Sequence, residues 1–299
     1  MGVPFEFRSK SQIKCNPCTD MVGWGTWNQE PGTWSDDGQM IMNTLQSIVT
    51  CRGINLRNIA DQFICWRDYA TWTPHGVVFD IGGCTSRAIS NLKRVKDVTK
   101  AGPASVKDNG NGSLMRILPV CLVLSDVEDD RRRKIVSDVS AMTHGHARAR
   151  LACMFYSDMI TRILQSKGDA CIGYAHRMTI ETMRPIIEEA GELEAFSRVL
   201  DPYLPSLPES EIRGSGYVIH SLEAAIWCGR RATCYKDGVL AAINLGEDTD
   251  TTGCIAGGLL GAMFSRWHDT DIPREWEDEL AQIDMIDQKL ASMKKLKLW

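Results

Sequence analysis

Ser35, Asp36 and Asp37 follow one another in the run W-S-D-D-G-Q-M. A hydroxyl beside two carboxylates is a donor set for a hard divalent cation. Adjacent carboxylates repel each other unless a cation or a helix dipole compensates, so the run suits Mg²⁺ or Mn²⁺. Helix capping by Ser and Asp is the alternative reading. A second run, G-E-D-T-D-T-T-G, carries Glu247, Asp248, Asp250, Thr251 and Thr252 ahead of an apolar stretch. It holds more acids than one cap needs, and its spacing is not that of an EF-hand loop. Two such clusters, each opening a buried helix, could converge on one pair of ions, the arrangement that two-metal hydrolysis requires.

Two further segments bear polar groups of another kind. In D-N-G-N-G-S-L-M-R, from Asp108 to Arg116, polar side chains and two glycines open an apolar helix. Backbone N–H groups there could meet a phosphate, and glycine permits close approach, although N-G is also an ordinary turn. In T-H-G-H-A-R-A, His144 and His146 read as metal ligands, as donors to a substrate or as helix-start residues. With no Cys nearby and no third His, zinc is discounted. The C-x-x-C of Cys15 and Cys18 supplies only half a tetrahedral site and reads as incidental thiols.

The elements that must position these residues read as helices. In a helix beginning at Asp36 and Asp37, Met40, Ile41, Leu45, Ile48 and Val49 recur at three- and four-residue spacing. Comparable patterns cover Ile59 to Tyr69, Arg116 to Leu124, Arg131 to Met142, Ala147 to Leu164, Ile180 to Val199, Tyr217 to Cys228, Asp237 to Ile243 and Thr251 to Phe264. The opening, Met1 to about Pro31, is rich in Gly, Pro and Asn and reads as irregular. Leu200 to Pro208, with three prolines, reads as a surface connection, and the last helix ends in a solvated Lys-rich run. Alternating strand patterns are nearly absent, so an all-α fold is expected.

At 299 residues and 43% hydrophobic content the chain can bury one large core, and nothing reads as a spacer between domains. A single domain over residues 1–299 is the expectation. The net charge of −4 comes without a basic stripe, which argues against a nucleic-acid backbone and for a small molecule or a modified protein as partner. Eleven cysteines, with no secretory signal before them, point to reduced thiols in a cytoplasmic protein. No apolar run approaches a membrane span.

Taken in order, G-V-P-F-E-F (Gly2–Phe7), S-D-D-G-Q-M (Ser35–Met40), N-G-S-L-M-R (Asn111–Arg116), T-H-G-H (Thr143–His146), G-S-G-Y-V-I-H-S-L-E-A-A (Gly214–Ala225) and N-L-G-E-D-T-D-T-T (Asn244–Thr252) resemble the ADP-ribosylglycohydrolase family over nearly the whole chain. That family includes the glycohydrolase that reactivates dinitrogenase reductase and the ADP-ribosylarginine and ADP-ribosylserine hydrolases. The resemblance implies a compact orthogonal helical bundle with a dinuclear Mg²⁺ or Mn²⁺ site in an ADP-ribose cleft. By position it implies Ser35, Asp36, Asp37, Asp248, Asp250 and Thr251 as metal ligands. Asp108, Asn109, Gly110, Asn111, Gly112 and His144 are implied as ADP-ribose contacts, with Tyr217 as a cleft wall. Glu6 resembles the family's acid near the N-terminus, which touches a metal or serves as base. The family's usual G-x-x-x-G-x-A-x-G-D-A-L helix before G-V-P-F-E-F is absent here, S-D-D-G stands for T-D-D-T, and L-G-E-D stands for L-G-G-D.

The expected chemistry is hydrolysis of the bond between ribose C1 of ADP-ribose and an acceptor, with Glu6 or Asp108 as general acid/base. The acceptor could be arginine, serine, a base or a small molecule. The competing expectations are a catalytically inactive member that binds ADP-ribose or serves structurally, and a metal-dependent hydrolase of another nucleotide.

Overall fold

The computed structural model describes residues 1–166, 172–264 and 272–296. In chain order the helices are α1 (Lys10–Cys15), α2 (Asp36–Cys51), α3 (Leu56–Tyr69), α4 (Gly83–Leu92), α5 (Leu118–Val123), α6 (Asp129–Ala141), α7 (Ala147–Gln165), α8 (Ile172–Glu189), α9 (Leu193–Phe196), α10 (Val218–Arg231), α11 (Tyr235–Ile243), α12 (Thr249–Phe264), α13 (Arg274–Asp278) and α14 (Ile283–Lys295). Among the described residues there is no strand beyond an isolated bridge between Trp24 and Gln29, so the all-α expectation holds. No described helix is long and apolar enough to cross a membrane.

The chain packs as two compact units, one of Met1–Thr33 with Asp158–Glu279, the other of Trp34–Ser157 with Leu280–Trp299; the division falls inside α7. In the second unit, Met42, Leu45 and Ile48 of α2 form a core with Met293 of α14, and Ile41 and Val49 pack on its margin. Helical spacing had marked Leu45, Ile48, Ile41 and Val49. The other side of α2 is also buried, because Gln39 accepts a hydrogen bond from Trp66 Nε1 of α3 at 2.7 Å and Asn43 donates to the Thr71 carbonyl at 3.2 Å. A helix held on both sides has little freedom to roll, and this fixes its first turn, where Asp36 and Asp37 stand.

In the first unit, α10, α11 and α12 pack against one another, with α8 against α10. Val218, Leu222, Ile226, Ile255 and Leu259 are all at most 1% exposed. Ile180 to Val199 is two helices rather than one: α8 begins earlier, at Ile172, and ends at Glu189 before the short α9. The opening segment also departs from the irregular reading, since α1 forms there. Ser9 and Gln12 cap it reciprocally, each side chain bonding the other's backbone N–H, which offsets the helix's shortness. The ten described cysteines are free thiols, and Cys171 and Lys297, the end of the Lys-rich run, lie outside the described residues.

Candidate functional site

In the first unit, the chain's opening residues are bound to the acidic loop before α12. Phe7 N–H donates to the Glu247 carbonyl at 2.6 Å, Glu247 N–H donates to the Arg8 carbonyl at 2.7 Å, and Thr249 Oγ1 donates to the Gly2 carbonyl at 2.7 Å. Gly2 lies so close that a Cβ there would stand 2.4 Å from the Asp250 backbone. Asn244 clamps the same segment further along, accepting from Cys18 N–H at 2.8 Å and donating to its carbonyl at 2.9 Å. This explains the thiol of the C-x-x-C: Cys18 is buried in a structural clamp, and burial pushes it up to about 11.

The consequence is a pair of acids. Carboxylate oxygens of Glu6 and Asp250 come within 4.8 Å of each other, with both residues buried. Two like charges at that distance, shielded from water, call for a cation or a shared proton. Trp27 Nε1 donates to Glu6 Oε2 and so sets that carboxylate's orientation. Asp250 Oδ1 accepts the Thr251 N–H at 2.9 Å, and Thr251 is itself buried. Asp248, half-buried, donates its N–H to the Gly214 carbonyl at 2.8 Å, and a Cβ on Gly216 would lie 3.1 Å from Asp248 Oδ2. Tyr217 follows directly as the N-cap of α10, its ring edge-on to His220 at 4.9 Å.

Glu247, the residue that departs from L-G-G-D, is exposed and sits at φ 64°, in left-handed backbone that favours glycine. Glu247→Gly is therefore expected to stabilise the protein by up to about 1 kcal/mol, read as a rise of roughly 2 °C in Tm. A fall in Tm would show that the carboxylate's attraction to Lys10 outweighs the backbone relief.

In the second unit, Ser35 is the N-cap of α2 but makes no side-chain capping bond; its hydroxyl donates to Asp37 Oδ2 at 3.3 Å instead. Asp36 and Asp37, each 4% exposed, occupy the first turn, at the positive end of the helix dipole. Plain capping by Ser35 is thus not what the geometry shows. A buried hydroxyl and two buried carboxylates in one cluster fit a hard divalent ion, as do the oxygens of Asp248, Asp250 and Thr251 in the first unit.

The same unit holds the D-N-G-N-G and T-H-G-H residues. The Asp108 carboxylate pairs with Arg87 of α4 through Oδ1 and accepts the Ser105 N–H through Oδ2 at 3.1 Å. Asn109 donates to the Val106 carbonyl at 2.9 Å, which leaves its buried Oδ1 without a partner among the described residues. Asn111 is buried, and its carbonyl receives the N–H groups of Leu114 and Met115, closing the turn that leads into α5. Gly110 and Gly112 are half-buried, and Gly112 faces the His144 ring: a Cβ there would stand 3.0 Å from His144 Cε1. His144 is 2% exposed, and burial, followed by the charge of Arg116, pushes its imidazole down to about 3. His146 has a helix-start role, its Nδ1 accepting the Arg148 N–H at 3.2 Å. Sequence reasoning passed over Trp27 and Arg87 and gave Arg116, the last residue of N-G-S-L-M-R, no role of its own, because each matters through a partner distant in sequence.

Fold and side chains together define an all-helical protein carrying a buried acidic group that could hold a metal ion. The model of the ADP-ribosylglycohydrolase family matches residues 1–298, and the chain belongs to that family, whose members are enzymes. It is 26% identical to the ADP-ribosylarginine hydrolase Tri1 of Serratia proteamaculans (strain 568), over 96% of this chain and 73% of that protein. Identity to the protein of the same name from Pseudomonas putida (strain GB-1) is 28%, over 97% and 73%. The ADP-ribosyl-[dinitrogen reductase] glycohydrolase of Rhodospirillum rubrum is 25% identical over 95% and 86%. A solved structure titled ADP-ribosylglycohydrolase-related protein complex shares the fold, with a TM-score of 0.78 at 24% identity over 99% of this chain and 92% of that one.

Proposed function

We propose that this chain hydrolyses the glycosidic bond between ribose C1 of an ADP-ribosyl group and a guanidine nitrogen of arginine, releasing ADP-ribose and restoring the acceptor. The observation that carries the reading is the buried Glu6–Asp250 pair, in a chain of this family. The names of the Serratia and Pseudomonas relatives favour arginine as acceptor. The proposed ligands of two Mg²⁺ or Mn²⁺ ions are Ser35, Asp36 and Asp37, and Asp248, Asp250 and Thr251. Ions bound there supply charge stabilisation and lower the pKa of water.

The protein's own groups do the rest. Glu6, oriented by Trp27, takes the proton of the attacking water. Asp108 is a weaker choice for that role, because its two oxygens are engaged by Arg87 and Ser105. We assign Asp108 instead to holding the Asn109–Gly112 turn against the ligand. Asn109 Oδ1 accepts from ADP-ribose, and the turn's backbone N–H groups are donors to the diphosphate. Water adds to C1 as the C–N bond breaks, and the leaving nitrogen gains a proton. A cytoplasmic setting is part of the proposal.

The test is release of ADP-ribose from ADP-ribosylated arginine and ADP-ribosylated serine, with Mg²⁺ and with a chelator. Mg²⁺-dependent release from arginine is expected; release from neither substrate would overturn the proposal. Binding is a separate expectation. ADP-ribose alone should stabilise the Mg²⁺-loaded protein, and Asn111→Ala should weaken it by roughly 1–3 kcal/mol, the cost of leaving a buried polar partner unsatisfied. Calorimetric titration decides this, and unchanged affinity in the variant would remove Asn111 from the ligand contacts.

A further inference from the structure

Behind His144 lies a buried cation that the proposed chemistry does not use. Arg116 is fully buried, with its guanidinium 4.5 Å from the centre of the Phe63 ring, and it has no carboxylate partner among the described residues. Its Nη2 donates to the Val139 carbonyl at 3.2 Å and to Thr143 Oγ1 at 2.8 Å, while Nε and Nη1 find no acceptor. Thr143 is also fully buried, and its Oγ1 lies 3.0 Å from His144 Nδ1.

These contacts settle a proton. The Thr143 hydroxyl already accepts from Arg116, a group that can only donate. Its own hydrogen has one acceptor within reach among the described residues, His144 Nδ1. Were Nδ1 to carry the proton and donate to Oγ1, the hydroxyl hydrogen would be buried without an acceptor and its desolvation would go uncompensated. The neutral ring therefore carries its hydrogen on Nε2. That edge of the ring faces Gly112, where a Cβ would stand 3.5 Å from Nε2 and 3.1 Å from Thr85 Oγ1, so glycine leaves unfilled a position that a side chain would crowd.

We propose that Arg116 and Thr143 form a positioning relay that holds His144 as the neutral Nε2–H tautomer, a donor directed at an oxygen of the ADP-ribosyl group. The inference rests on the hydrolase reading only for the identity of that oxygen. The cation orients the hydroxyl, the hydroxyl orients the ring, and the ring offers one hydrogen bond without a charge. Lying in the core, the guanidinium stays fixed whether or not ligand is present.

The test is the ¹⁵N spectrum of the imidazole rings, with His144 assigned among the six histidines by its loss in His144→Gln. In the wild-type protein at neutral pH, His144 should be a single neutral form with the hydrogen on Nε2. Thr143→Val removes the hydroxyl at nearly constant volume. It should give a mixture of tautomers and weaken ADP-ribose about tenfold, the size of one lost hydrogen bond, with KM rising more than kcat falls. Thr143→Ser should restore both. A wild-type ring with its hydrogen on Nδ1, or an unchanged tautomer in a folded Thr143→Val, would overturn the relay. If wild-type protein binds no ADP-ribose, the hydrolase reading fails, and the ring spectrum still decides the relay.

Discussion

Asp250→Ala is expected to abolish turnover and to lower Mg²⁺ affinity by at least about 100-fold, since removal of groups that merely support a metal ligand already costs 10–100-fold. The fold should survive. Asp250 contributes little apolar burial, and its Oδ1 accepts the Thr251 N–H within the first turn of α12. Without Mg²⁺ the variant should be as stable as the wild type or more so, because one of two close buried charges is gone. With Mg²⁺ the two should separate. At a hundred times its Kd the ion adds about 2.7 kcal/mol to the wild-type protein by mass action and almost nothing to the variant. Thermal unfolding with and without Mg²⁺, together with calorimetric titration, makes the comparison. Unchanged Mg²⁺ affinity would reduce Asp250 to a helix cap.

Glu6→Gln should lower kcat by about 10²–10⁴, the range contributed by a positioned general base. The amide keeps the carboxylate's shape and an oxygen for Trp27 Nε1, so packing and stability should change little. The informative quantity is how the loss divides. As a base, Glu6 can be neutralised with Mg²⁺ affinity nearly retained. If Mg²⁺ binding instead falls in step with kcat, Glu6 is a ligand and the base must be sought elsewhere.

Helical periodicity was enough to place α2, α3, α7, α10, α11 and α12 to within a few residues, since their apolar positions repeat at the spacing that one buried face requires. It failed at the N-terminus. Ser9 and Gln12 carry a capping-box spacing, but the surrounding Gly, Pro and Asn outweighed it, and a helix of six residues has no periodicity to read. It also ran α8 and α9 together. The W-S-D-D-G cluster was readable as two alternatives, a cap or an ion site. The Ser35 hydroxyl bonds Asp37 rather than a backbone N–H, so a side-chain cap by Ser35 does not form, a choice invisible in residue order.

The sequence by itself determined the chemical inventory: hard oxygen donors grouped at two helix starts, a glycine-bearing polar turn, a histidine pair, and helices to carry them. Residue type and near-neighbour spacing are local properties, and local properties can be read in order along the chain. Only the tertiary structure decided which of these groups meet. Glu6 reaches Asp250 because Phe7 N–H donates to the Glu247 carbonyl, Glu247 N–H donates to the Arg8 carbonyl and Thr249 holds the Gly2 carbonyl, the last a contact across 247 residues of sequence. Asp108 is drawn to Arg87, and the buried Arg116 reaches the Thr143 hydroxyl that lies 3.0 Å from His144 Nδ1. Each of these outcomes depends on burial and on the direction of a single hydrogen bond, which the packed chain sets and the order of residues does not.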